Sequence, residues 1–192
     1  MSENTENTEN PTRALVVIDV QESFRNRPTW AEVSTPDIAD RVARLVEAAR
    51  NRGDAVFWVL HSEPGSRGVF DPETGYVRLQ EPLSMRAGEP VFYKTSVNAF
   101  TTTNLAQQLT ERGIRHLTIC GIQTERCCET TTRVASDLGY QVDFVTEATA
   151  TFPITHPDTG RVLPVDQVVE RTEFALHGRF ATVRTLEDAL AD

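Results

Sequence analysis

Lysine is nearly absent from this 192-residue chain. Of its 19 basic residues one is lysine, Lys94, and the rest are arginine. No basic run or stripe exists to neutralise phosphates, and the net charge is −9; together these argue against nucleic acid as a partner. Cysteine is also scarce. Cys120, Cys127 and Cys128 lie within nine positions, and an odd count with two adjacent residues is not a disulfide framework. There is no C-x-x-C pair and His116 is the only histidine nearby, so the cluster is not a zinc pattern either. Reduced thiols in a cytoplasmic setting are the expectation. No window approaches the ~20 apolar residues of a membrane span. The opening MSENTENTENPT is polar and repetitive, which predicts a disordered tail over 1–12 rather than a signal or anchor. The remainder, 13–192, is expected to be one domain.

Within 13–192, short apolar runs alternate with amphipathic stretches. Ala14 to Ile18 is continuous and β-branched, as a strand buried on both faces should be. A helix is predicted over 36–52, with Ile38, Val42, Leu45, Val46 and Ala49 as its apolar stripe and Gly53 as its stop. Strands follow at 55–60, 91–94, 116–120, 142–145 and 181–184. Helices are expected at about 102–112, 125–138 and 164–178, with a short one at the C-terminus. Residues 61–90 and 148–163 read as loops, and loops of that length often line a site. The alternation predicts an α/β fold: a three-layer α/β/α sandwich, Rossmann-like, with a mostly parallel sheet of about six strands.

In such a sheet ligands bind beyond the carboxyl ends of the strands. Asp19 ends the first strand and Lys94 the third. The turn after the fourth delivers Cys127 to the start of a helix. A carboxylate, an amine and a thiol at one sheet edge make a nucleophile with its support. Lys94 and the helix N-terminus are expected to lower the thiol pKa, Asp19 to move the proton, and backbone N–H groups of the turn to hold an oxyanion. Bland roles stay open beside these: Asp19 as a turn cap, Cys127 as an inert buried thiol. Cys128, about 100° around the helix, is expected to pack sideways, and Cys120 in the core. Gln21, Phe24, His61, Phe100 and Arg126, with Glu63, are candidates to line the pocket, Arg126 as a partner for a carboxylate.

Three segments carry a resemblance. ALVVIDVQESF (14–24) has a D-x-Q-x-x-F pattern, KTSVNAF (94–100) a lysine segment, and GIQTERCCETT (121–131) a G-[IV]-x-T-x-x-C turn, with TATF at 149–152. In this order the chain resembles the isochorismatase-like cysteine hydrolase superfamily over about 13–185. The resemblance implies Asp19, Lys94 and Cys127 as catalytic residues and the backbone N–H groups of Gln123 and Cys127 as an oxyanion hole. It also implies a cis peptide at Ile122–Gln123, a role for Gln21 in orienting the Asp19 region, and a homo-oligomer, dimer or tetramer.

The chain departs from the nicotinamidase pattern: Leu60-His61-Ser62-Glu63 stands where a metal-holding D-x-H is expected. Isochorismatases that hydrolyse a vinyl ether lack the cysteine. The expectation is therefore a hydrolase of a small-molecule C–N bond, amide, ureido or imide, with no metal and no cofactor. A non-amide hydrolase on the same scaffold and a non-catalytic oligomeric binding protein remain the alternatives.

Overall fold

The computed structural model describes residues 12–191. The predicted tail falls outside them except for Thr12, whose carbonyl accepts hydrogen bonds from Arg115 and His116 N–H. The elements run β1 (Arg13–Ile18), α1 (Glu22–Arg25), a 3-10 turn (Pro28–Glu32), α2 (Ile38–Arg52), β2 (Ala55–His61), β3 (Val91–Lys94), α3 (Leu105–Glu111) and β4 (His116–Ile122). A π-turn (Thr124–Cys128) leads into α4 (Glu129–Asp137) and β5 (Gln141–Ala150). The small hairpin β6 (Ile154–Thr155) and β7 (Val162–Leu163) precedes α5 (Val165–Leu176), β8 (Thr182–Arg184) and α6 (Leu186–Ala191). No described helix is long and apolar enough to cross a membrane.

Six strands form one sheet in the order β3-β2-β1-β4-β5-β8, and every neighbouring pair is parallel. The period of two in a strand sorts the apolar residues into two cores. Leu15, Val17, Val56 and Trp58 pack with the α2 stripe and with Leu186 and Ala189 of α6. Ala14, Val16, Ile18, Phe57 and Val59 face the other way, onto Leu105 and Leu109 of α3, Ala135 of α4 and Leu176 of α5. The three-layer sandwich follows directly. The valine, leucine, isoleucine and phenylalanine side chains among these residues each contribute ~1.5–3 kcal/mol on burial. All five residues of the α2 stripe are buried, and Gly53 closes the helix at φ 79°.

The chain moves outward from β1 through β2 to β3 and then returns to β4 on the far side of β1. That reversal leaves a crevice beyond the carboxyl ends of β1 and β4, where open parallel sheets bind ligands.

The predicted 148–163 loop differs from the structure, which places the end of β5 and the β6–β7 hairpin there. β5 continues to Ala150, five residues past its expected end. The sequence predicts a loop from 148 onward, but Thr149 Oγ1 donates to Thr146 O at 2.8 Å and accepts from Thr124 Oγ1 at 2.8 Å. Satisfied hydroxyls of this kind are buried at little cost. The loop 61–90 is pinned: Arg50 forks onto Glu89 at 2.7 and 2.9 Å, and the Trp58 indole donates to the same carboxylate at 2.8 Å.

Candidate active site

Asp19 follows β1 directly. Its N–H donates to Val59 O at 2.8 Å, extending the ladder by one residue, and its φ of 55° then turns the chain. Aspartate is among the few residues that tolerate this left-handed region. Across the crevice, β4 pairs Gly121 with Ile18. The pairing is so close that a Cβ on Gly121 would stand 1.9 Å from Ile18 O, and Gly121 has a φ of 130°. Only glycine fits there. The register of β4 against β5 shifts between Ile119 and Gly121. The Ile122–Gln123 peptide that follows is cis. Arg126 and Cys128 N–H both donate to Gln123 O, tightening the turn that carries Cys127.

Lys94 ends β3, one strand beyond β2. It is wholly buried, and its Nζ lies 2.7 Å from Asp19 Oδ2. The same ammonium reaches Cys127 Sγ at 3.4 Å, Ser96 O at 3.3 Å and His61 Nδ1 at 3.4 Å. A protonated lysine has only donors to offer. His61 Nδ1 therefore accepts, which leaves Nε2–H to donate to Glu63 Oε1 at 3.1 Å. The structure thus brings Asp19, Lys94, Cys127 and His61 into one contact cluster.

The electrostatics of the cluster differ from the sequence expectation. Burial first, and the Asp19 charge second, push the Cys127 thiol up to about 12 against the downward pull of Lys94. Lys94 and the helix N-terminus therefore do not by themselves make Cys127 a standing thiolate. Burial also raises the Asp19 pKa above its ordinary value, although Lys94, Cys127 and His61 pull it down. For Lys94 burial acts downward, yet Asp19 and Cys127 together outweigh it and hold the ammonium more firmly charged. A site built this way keeps a neutral thiol beside a carboxylate with raised proton affinity. The thiol proton has a destination 'in place' when a substrate arrives.

Cys127 faces a cavity of about 170 Å³ whose wall also includes Asp19, Gln123, His61, Glu63 and Arg126. Phe24 lines it too, so five sequence candidates besides Asp19 and Cys127 line the cavity: Gln123, Phe24, His61, Glu63 and Arg126. Gln21 and Phe100 do not. Gln21 is fully buried, donates to Ser23 Oγ and His61 O, and accepts from His61 N–H; it ties the end of β1 to the end of β2 rather than touching a ligand. Phe100 turns inward because Asn98 Oδ1 accepts from the N–H groups of Phe100 and Thr101. Its ring stacks on Tyr140 at 6.2 Å, and Val97 of the same segment faces the cavity instead.

Arg27 and Phe70 also line the cavity and were not legible in the sequence. Phe70 sits in the long loop, edge-on to the rings of Phe24 and His61. Arg27 comes from the turn after α1 and lies over Phe24 and Phe152. Cys120 and Cys128 are completely buried in opposite cores. A wider depression of about 660 Å³ beside Phe174 and Arg171 of α5 is larger, but no thiol or titrating cluster lines it. Among the described residues no group of three or more His, Cys, Asp or Glu is placed to hold a metal ion.

Residues 13–188 match the family model of the Isochorismatase domain. The chain is 33% identical to the uncharacterized isochorismatase family protein YddQ of Bacillus subtilis (strain 168), over 92% of this chain and 97% of that protein. It is 34% identical to a streptothricin hydrolase of Streptomyces noursei, over 86% of this chain and 66% of that one. Among solved structures, an isochorismatase from Pseudomonas putida KT2440 superposes with a TM-score of 0.83 at 31% identity, covering 92% of this chain and 89% of that one.

Proposed function

The chain belongs to the isochorismatase family of hydrolases, and from that membership and the site geometry we propose that it is a cysteine hydrolase of small amide, ureido or imide compounds. The observation that carries the reading is the buried Lys94 ammonium, 2.7 Å from Asp19 and 3.4 Å from Cys127. A streptothricin hydrolase among the relatives supports hydrolytic chemistry on a related chain. The cavity of about 170 Å³ is below the ~300–1,000 Å³ of pockets for drug-sized ligands, so the substrate, or the part of it that enters, is small.

In this mechanism the carbonyl carbon of the substrate approaches Cys127 Sγ. Asp19 takes the thiol proton as the S–C bond forms, and Lys94 stabilises the sulfur charge that develops. The carbonyl oxygen becomes an oxyanion held by the backbone N–H groups of Gln123 and Cys127. The C–N bond then breaks, and Asp19 passes its proton to the departing nitrogen. Water attacks the thioester and gives a proton to Asp19. The S–C bond breaks, the acid leaves, and the proton returns to sulfur. Each step moves one proton through one carboxylate, so a raised Asp19 pKa suits both directions of transfer.

The reading is tested by ammonia or amine release from a panel of primary amides, ureido acids and cyclic imides. Activity on at least one class, lost on Cys127→Ala and on Asp19→Asn, supports it. Hydrolysis that survives Cys127→Ala would sink it.

A further inference from the structure

We propose that the Cys127 cavity contains a carboxylate subsite anchored by Arg27, so that the substrates are small amide or ureido compounds that also bear a carboxylate. This rests on the cysteine-hydrolase reading and names its substrate class. The argument is a balance of charges around the cavity. Its wall carries Asp19, Glu63, His61, Arg27 and Arg126, with Lys94 behind Asp19. The Asp19 charge is met by Lys94 at 2.7 Å. Glu63 is engaged by His61 at 3.1 Å. Arg126 faces Glu125 at 3.4 Å, and that carboxylate also receives the Thr151 hydroxyl. Arg27 is the exception. Among the described residues it makes no ion pair; its guanidinium rests over the rings of Phe24 at 6.0 Å and Phe152 at 5.9 Å.

Those two rings are themselves fixed, stacked with centroids 6.2 Å apart and buried. They place the guanidinium against aromatic rings rather than against an acid, so no carboxylate among the described residues takes up its N–H donors. A planar fork of N–H donors in that state matches a carboxylate in two-point fashion. The half-buried setting strengthens the attraction relative to open water. Arg126 adds a second positive charge at the same opening. Glu63 Oε atoms supply an acceptor suited to the N–H of an amide or ureido group, so the two ends of such a substrate meet opposite charges. The small cavity keeps the carboxylate and the scissile carbonyl a few bonds apart.

The test uses charge-matched reagents. Alkylation of Cys127 by iodoacetate and by iodoacetamide is measured on the whole protein, with the site located by peptide mass. The ratio of the two rates should fall at least 10-fold in Arg27→Gln, recover partly in Arg27→Lys, and stay unchanged in Arg44→Gln, a surface arginine paired with Glu187. An unchanged ratio in Arg27→Gln would overturn the subsite while leaving the nucleophile intact. A second arm needs no reactive thiol. Succinamate should raise Tm more than its neutral analogue succinamide, and Arg27→Gln should erase the difference. Equal shifts from the two compounds in the unmodified protein would overturn the subsite whatever the labelling shows. Failure of the hydrolase reading is separate: it appears as turnover that survives Cys127→Ala.

Discussion

Lys94 Nζ stands 2.7 Å from Asp19 Oδ2, and neither side chain exposes any surface. Removing one partner strands a buried charge, the costly half of such a pair. Lys94→Met should therefore lower both stability and activity. Lys94→Arg should not rescue either, because a guanidinium does not fit a space enclosed by Asp19, Ser96, His61 and Cys127. Chemical denaturation and turnover check this together; a Lys94→Arg variant with near-normal turnover would contradict it.

The thiolate fraction of Cys127 should move in opposite directions on removing its two charged neighbours. Asp19 raises the thiol pKa and Lys94 lowers it. In Asp19→Asn the thiol should ionise at lower pH than in the unmodified protein although hydrolysis is lost by about 10³-fold or more. In Lys94→Met it should ionise at higher pH. Ultraviolet thiolate absorbance against pH, with Cys127→Ala as the blank, reads both shifts.

Asp19 must be ionised to accept the thiol proton. Burial lifts its pKa above the ordinary 3.8 despite the opposing pull of Lys94. As acid is added, kcat/KM should fall with a midpoint above 3.8. A profile flat down to that pH would assign the base to another group.

Gly121→Ala should unfold the crevice. The added Cβ meets Ile18 O at 1.9 Å, at a φ of 130° that side chains rarely adopt. A backbone clash of this kind leaves no side chain to move aside. The cost should reach about 4 kcal/mol, the range kept for the most disruptive single changes. Thermal unfolding compared with Gly139→Ala, where nothing lies within 4 Å, isolates the clash from the effect of positive φ.

Glu89→Ala should free the 61–90 loop that carries Glu63 and Phe70. The loss should be about 2 kcal/mol, below the ~3–5 kcal/mol of a fully buried pair. Burial raises the Glu89 pKa, but Arg50, the Arg86 N–H and the Trp58 indole outweigh it and hold it below 4.5. A depressed carboxylate stabilises the fold above its unfolded pKa and loses that contribution as pH falls through the folded value. The Tm gap between the two proteins should therefore narrow as pH drops below 4.5, and KM should rise in the variant at neutral pH.

The parallel sheet and the strand-end positions of Asp19, Lys94 and Cys127 were readable because they depend on local pattern: apolar runs, a helical stripe ending at Gly53, and residues that directly follow strands. The cavity wall was less so. Arg27 reaches it only through rings of Phe24 and Phe152, 128 positions apart in the chain, and no local spacing marks that contact. Phe100 misled because the Asn98 cap, not hydrophobicity, decides which way its segment turns. Gln21 sits next to the site yet spends both ends of its amide on the backbone of His61 and the Ser23 hydroxyl. The thiol was misjudged for a different reason: sequence shows the neighbouring cation, but burial, which dominates the shift, exists only in the folded chain.

The most direct measurement is intact mass spectrometry of the protein quenched during turnover of a primary amide or ureido acid, followed by peptide mapping. The account predicts an acyl group on Cys127, absent from Cys127→Ala and retained by Cys128→Ala. An adduct on Cys128, or full turnover by the Cys127→Ala protein, would contradict it.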